Sequence, residues 1–183
     1  MQSRGASEAT RARILDVAQQ AFATRPYDAV SLRQIARDVG IDVALVHRTF
    51  GSKEGLFVDV MEHAFGDSHA QVRGPGDLKD ILADTLFERN DKAAPSLDRL
   101  NIVLRSFSHP TAKQIIRDRL KCNMLDELAS RLPPPQRERA AVLMSLMLGS
   151  VILRNVLQVD GLANDDGAAE KLFRQVVELL ETP

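Results

Sequence analysis

Arg33, His47, Arg48, Thr49 and Lys53 fall within one stretch, SLRQIARDVGIDVALVHRTFGSKEGLF (residues 31–57), and each carries a hydrogen-bond donor. Guanidinium, imidazole, hydroxyl and ammonium groups gathered in this way suit phosphate oxygens. A guanidinium can also read the O6 and N7 edge of guanine bidentately. Apolar residues are interleaved at helical spacing. Leu32, Ile35, Ala36 and Val39 make one inward stripe, and Val46 and Phe50 make another. Donors outside and core anchors inside call for two short helices.

The punctuation of the stretch places them. Ser31 opens the first helix with Gln34 three positions on, the reciprocal spacing of a capping box. Gly40 supplies a left-handed residue that stops it, and Asp42 can cap the second. Two helices joined by a short glycine-containing turn form a helix-turn-helix, which lays its second helix in the major groove of DNA. Ser52 caps the next helix. Lys53 then joins an ammonium to a helix N-terminus, a favourable phosphate site.

TRARILDVAQQAF (10–22) followed by YDAVSLRQIARDVGIDVALVHRTFGSKEGLF (27–57) resembles the TetR family of bacterial transcriptional regulators. The shared features are Arg before Ile-Leu, a small-residue first helix ending in Phe, Ser at the second helix start, Ile-Ala, Gly, Phe and Ser-Lys-Glu-x-Leu. The match covers about the first third of the chain; the remainder is similar mainly in helical architecture. The resemblance implies backbone contacts at His47, Thr49 and Lys53 and base contacts at Arg33, Val43, Ala44 and Leu45. The expected DNA-facing set is Arg13, Ser31, Leu32, Arg33, Asp42, Val43, Ala44, Leu45, His47, Arg48, Thr49 and Lys53. Three positions depart from the pattern. Pro26 ends the first helix where the family has Gly, His47 replaces an aromatic that is most often Tyr, and Val43-Ala44-Leu45 replaces Lys-Gly-Thr. Apolar side chains contact thymine methyls, so T-rich steps and DNA shape are expected to carry much of the readout. His47 adds a charge option, so DNA affinity is expected to rise as pH falls from about 7.5 to 6, a response that a His47→Tyr variant should lack.

The 183-residue chain has a net charge of −1. Residues 1–53 carry eight Arg and Lys against five Asp and Glu, and the remainder carries sixteen against twenty, which points phosphate contact toward the N-terminal end. The single Cys122 excludes an internal disulfide and is read as a buried thiol in a reducing compartment. The N-terminus is polar rather than a secretory signal. The apolar run 140–153 is shorter than the ~20 residues a bilayer span needs. The expected location is cytoplasmic, with no membrane association.

Helical periodicity and Pro/Gly breaks predict an all-α fold of about nine helices, near 8–24, 32–39, 43–49, 52–72, 77–90, 95–107, 110–131, 135–160 and 167–181. The expected division is a helix-turn-helix domain at 1–55 and a helical ligand-binding and dimerisation domain at 56–183. The eighth helix is apolar nearly all round over AAVLMSLMLGSVIL (140–153), so it must be covered on more than one side. Either a central place in a monomer's core or a homodimer through helices 8 and 9 would cover it, the dimer being favoured in a domain of only five helices, with Gly149 and Ser150 allowing close approach; the resemblance implies the same four-helix interface.

A regulator of this type needs a signal, and the resemblance implies a small molecule bound among helices 4 to 8. Candidate lining residues are Phe87, Val103, Phe107, Asn123, Met124, Leu128, Met144, Met147 and Arg154. Met-rich walls adapt to flexible apolar molecules, so the unknown effector is expected to be largely apolar. Arg154 is read as part of a structural ion pair. No GxSxG, P-loop, dinucleotide fingerprint or metal-ligand spacing occurs; His63 and His69 share a helix at a separation poor for joint ligation. No enzyme activity, metal or cofactor is expected. The function implied is a dimeric repressor that binds a palindromic operator on double-stranded DNA and is released by its effector. The alternative is a helical protein-interaction module that has lost DNA binding.

Overall fold

The computed structural model describes residues 2–87, 93–162 and 166–183, with the side chains of residues 2–6, 67–71, 93–97 and 123 outside the description. The fold is all-α, and the described residues hold nine helices and no strand. They are α1 (Gln2–Thr24), α2 (Leu32–Val39), α3 (Val43–Phe50), α4 (Lys53–Arg73), α5 (Leu78–Phe87) and α6 (Ala93–Ser106). α7 begins at Pro110–Arg119, widens into a π-helical stretch at Leu120–Leu125 and closes at Asp126–Ser130. α8 runs Gln136–Val151 and widens in the same way at Ile152–Val156; α9 is Ala168–Glu181. Single 3-10 turns occur at Tyr27–Ala29 and Asp160–Leu162.

The chain forms two compact units. The first contains residues 1–66 and 94–118. α1 ends at Thr24 because Pro26 disfavours helical geometry in the residue before it. Its inward stripe, Ile14, Leu15, Ala18, Ala21 and Phe22, is buried as the periodicity requires. Phe22, Tyr27 and Phe57 form an aromatic cluster with centroid separations of 4.9–5.7 Å. Two polar pairs tie α1 to α4: Arg11 to Asp59 at 2.8 Å and His63 Nε2 to Asp16 at 2.9 Å.

The second unit contains residues 67–93 and 119–183, and its core gathers Leu78, Leu82, Leu86, Phe87, Leu128, Leu143, Phe173 and Val177. Arginines satisfy carbonyls left over at helix ends, which have no partner within their own helix. Arg131 donates to Val72 O at 2.7 Å and also to Gly76 O. Arg139 donates to Leu180 O at 2.8 Å and Thr182 O at 2.6 Å. Arg154 donates to Leu86 O while its guanidinium stands 5.1 Å from the Phe87 ring centroid. This corrects the expected ion pair at Arg154: the end of α5 offers a carbonyl and an aromatic face in its place.

Two further expectations change. Cys122 is exposed, because it falls in the π-helical stretch where the apolar stripe of α7 is interrupted. Gln136–Val156 is a continuous 21-residue helix, long and apolar enough by composition to cross a bilayer, where residues 140–153 alone had been too short. One side of it packs within its own unit, and most of the remainder is half-buried or exposed. Ala140, Leu143 and Ser150 are buried in its own unit, and Arg139 and Arg154 are bound to carbonyls of neighbouring helices. The burial of Ser150 removes it from the surface where a second backbone was expected to approach.

Candidate nucleic-acid interface

The helix-turn-helix is built by local hydrogen bonds. Ser31 Oγ accepts from Gln34 N–H at 3.2 Å, but the Gln34 amide turns forward to donate to Asp38 Oδ1 at 2.9 Å. Only one half of the capping box is made, because Asp38 lies one turn away on the same face. Gly40 sits at φ 78°, ψ 38°, and Ile41 N–H reaches back to Ala36 O at 2.9 Å, the long bond of a Schellman stop. Arg13 adds a donor from α1, its Nη2 bonding Val39 O at 3.0 Å. Asp42 caps α3 through Ala44 N–H at 2.7 Å.

These constraints aim α3. Val46 and Phe50 enter the core; Ala44, His47, Arg48 and Thr49 are exposed, and Val43 and Leu45 are half-buried at the rim. Ser31, Arg33 and Asp42 are exposed beside that face. Leu32 is 8% exposed, so what it can offer a ligand is its backbone N–H in the first turn of α2. Thr49 Oγ1 donates to Leu45 O at 2.8 Å, and His47 Nδ1 lies 3.2 Å from Gly51 O, which leaves Nε2 as the outward ring atom.

Gly51 occupies φ 73°, ψ −64°, and Ser52 N–H bonds Phe50 O at 2.8 Å. This is the rarer, strained form of γ-turn, which glycine accommodates. It delivers Ser52 to the start of α4, where Ser52 Oγ accepts from Gly55 N–H at 3.2 Å. Lys53 follows, half-buried, with Nζ 4.2 Å from the Tyr27 ring centroid. Burial lowers the Lys53 pKa, opposed by the Asp28 and Glu54 carboxylates. Glu54 itself is held below the usual carboxylate range, first by a backbone N–H and next by the Ser52 hydroxyl. The surface therefore presents donors and a cation around an outward helix, with no metal-binding group of three His, Cys, Asp or Glu among the described residues.

Sequence reasoning did not single out Tyr27, Asp28 or His109. His109 comes from the turn between α6 and α7, and its contacts with Asp28 at 3.3 Å and with the Tyr27 ring are long-range, with no local signal. Arg11 stands 5.5 Å from the Phe50 ring centroid and pairs with Asp59. The expected effector residues divide between the units. Val103 is buried and Phe107 is 44% exposed in the first unit. Phe87 and Leu128 are core residues of the second, with Met124, Met144 and Met147 packed against them and Arg154 engaged as above. The Asn123 side chain lies outside the described residues.

Two family profiles match. Residues 14–60 match "Bacterial regulatory proteins, tetR family", and residues 78–182 match "Tetracyclin repressor-like, C-terminal domain". Comparison with curated proteins finds no match. Among solved structures, Salmonella enterica GusR is similar with a TM-score of 0.76 at 18% identity, covering 95% of this chain and 96% of that one. A TetR-family regulator from Streptomyces coelicolor A3 is similar at 26% identity and TM-score 0.59, covering 95% of each chain. SmeT, in complex with triclosan, gives a TM-score of 0.68 at 16% identity over 90% of each chain.

Proposed function

Because the chain belongs to the TetR family of bacterial regulatory proteins, we propose that it is a dimeric, cytoplasmic repressor of transcription that binds a palindromic operator and is released by a small molecule. The observation that carries this reading is the outward face of α3. Val46 and Phe50 anchor the helix while Ala44, His47, Arg48 and Thr49 face away from the core, flanked by Arg33 and by Lys53 at the start of α4. Residues 1–55 supply this reading head. Base contacts fall to Arg33, Val43, Ala44 and Leu45, and phosphate contacts to His47, Thr49 and Lys53.

The second unit supports pairing of two subunits. Leu172, Val176 and Leu179 recur one turn apart along α9 and are exposed, Leu172 at 63% and Leu179 at 71%. Val142, Leu148 and Leu153 on α8 are exposed as well, and a Cβ added at Gly149 meets open space. Apolar faces of this kind on two helices suit self-association. A two-fold pair would set the two reading heads on successive major grooves, roughly 34–36 Å apart.

For the effector, the half-buried Met124, Met144 and Met147 offer adaptable apolar walls beside the core. That SmeT is found with triclosan is in keeping with an apolar effector. The deciding experiment is selection of duplexes from a random pool, with sedimentation of the free protein. A recovered palindrome bound by a dimer supports the reading. A monomer that enriches no duplex even in dilute salt overturns it in favour of an interaction module.

A further inference from the structure

Tyr27 is 2% exposed, and its ring touches more than core. Phe22 and Phe57 hold it at centroid distances of 5.7 and 5.1 Å. The Lys53 ammonium stands 4.2 Å from its centroid, inside cation–π range. His109 lies 4.6 Å away, ring centroid to ring centroid. Two polar contacts orient that imidazole. Ala112 N–H donates to Nδ1 at 3.4 Å, so Nε2 carries the hydrogen that faces Asp28 Oδ1 at 3.3 Å. Asp28 is the neighbour of Tyr27 in the same 3-10 turn. His109 thus holds both the ring and the turn that presents it.

The consequence falls on Lys53. A lysine stem is flexible, and an unrestrained ammonium must be ordered when it meets a phosphate. A seat over Tyr27 orders it beforehand, in a partly dehydrated position where attraction to an anion is screened less than in bulk water. We propose that Tyr27 is a positioning residue for the phosphate contact of Lys53, and that His109 in turn positions Tyr27. The inference rests on the reading of Lys53 as a DNA contact. It makes residues 94–118, far from the helix-turn-helix in sequence, part of what sets DNA affinity.

The test uses the full chain and a duplex recovered by selection, with affinity measured across a salt series. Lys53→Ala should lower the salt slope by about one unit per reading head. Tyr27→Leu should weaken binding ~2- to 10-fold per head, the range of a cation–π contact, while Tyr27→Phe keeps the ring and the affinity. His109→Ala should act in the same direction as Tyr27→Leu, and His109→Phe, which keeps the ring contact but not the bond to Asp28, should restore part of the binding. In a Lys53→Ala background neither Tyr27→Leu nor His109→Ala should cost anything more. Equal losses in that background would mean general damage to the head and would overturn the proposal. So would wild-type affinity in Tyr27→Leu. Should Tyr27→Leu lose its helical circular dichroism, the His109 pair decides by the same criteria. A wild-type protein that binds no duplex overturns the DNA-binding reading itself. Binding that is indifferent to Lys53→Ala overturns Lys53 as a phosphate contact, and the positioning role with it, while DNA binding by the α3 face still stands.

Discussion

Gly55→Ala sets two effects of opposite sign against each other. Gly55 lies in the first turn of α4, and glycine is the poorer helix former by ~1 kcal/mol, so propensity alone makes alanine stabilising. The γ-turn argues the other way. A Cβ at residue 55 would stand 2.2 Å from the Phe50 carbonyl oxygen and 3.4 Å from its carbon. Ordinary C···O contacts begin near ~3.3 Å, so about 1 Å of separation must be found. That oxygen is poorly placed to yield, since it accepts from Ser52 N–H at 2.8 Å and its own side chain is locked in the core. Backbone displacement of this sort costs ~1–3 kcal/mol, which exceeds the propensity gain. The expected net effect is a loss of up to about 2 kcal/mol. Since α3 and Lys53 are joined through this turn, DNA affinity should fall as well. Gly66→Ala is the control, because it lies in the same helix and a Cβ there meets nothing within 4 Å. It should raise stability by up to ~1 kcal/mol. Urea unfolding followed by circular dichroism measures both variants. If Gly55→Ala rises in midpoint alongside Gly66→Ala, the close approach of Phe50 O to α4 is wrong, and so is the account of how Lys53 is aimed.

Leu172→Glu combined with Leu179→Glu should convert a sedimenting dimer to a monomer with helicity unchanged, and operator binding should be lost with it. Arg154→Met should destabilise the second unit by about 1.5–3 kcal/mol, the range for a hydrogen bond to a charged group, and leave the salt slope of DNA binding as it was. Burial first, and the Glu54 carboxylate second, push the Tyr27 phenol up to about 12 from its ordinary 10. Its contribution to stability is therefore whole below pH 10, where the unfolded phenol is still protonated, and is lost as pH rises toward 12. Alkaline unfolding curves should show wild-type stability falling across that window more steeply than Tyr27→Phe. Asp42→Ala should cost ~0.5–2 kcal/mol by removing the α3 cap, again read by urea midpoint.

Where the interaction is local, the order of residues along the chain was enough. Ser31 and Asp42 cap the helices that follow them, Gly40 stops α2 in the left-handed region, and Pro26 lies just beyond the end of α1. Each acts within four or five residues, so its partner is set by spacing. The inward positions Ile35, Val39, Val46 and Phe50 follow for the same reason, since helical periodicity turns spacing into a face. The donors around α3 could be named because a helix with two anchored positions leaves the others outside.

Tertiary packing decided the questions in which a side chain chooses among partners distant in sequence. Arg154 followed an apolar run and found the carbonyl at the end of α5 where an acid had been expected. Arg174 meets Glu170 one turn away at 2.9 Å, as i,i+4 spacing allows, and also Asp84 on α5 at 3.1 Å, which no spacing rule announced. Cys122 turned outward because π-helical stretches shift the register of a stripe that an ideal period would have carried inward. His109 met Tyr27 only when a turn between two later helices came to rest on the aromatic cluster. For Arg154, Arg174 and His109 the physical reason is the same. A long polar side chain has many acceptors within its reach, and which of them lies there depends on how whole helices pack, a property that residue periodicity along one helix does not contain.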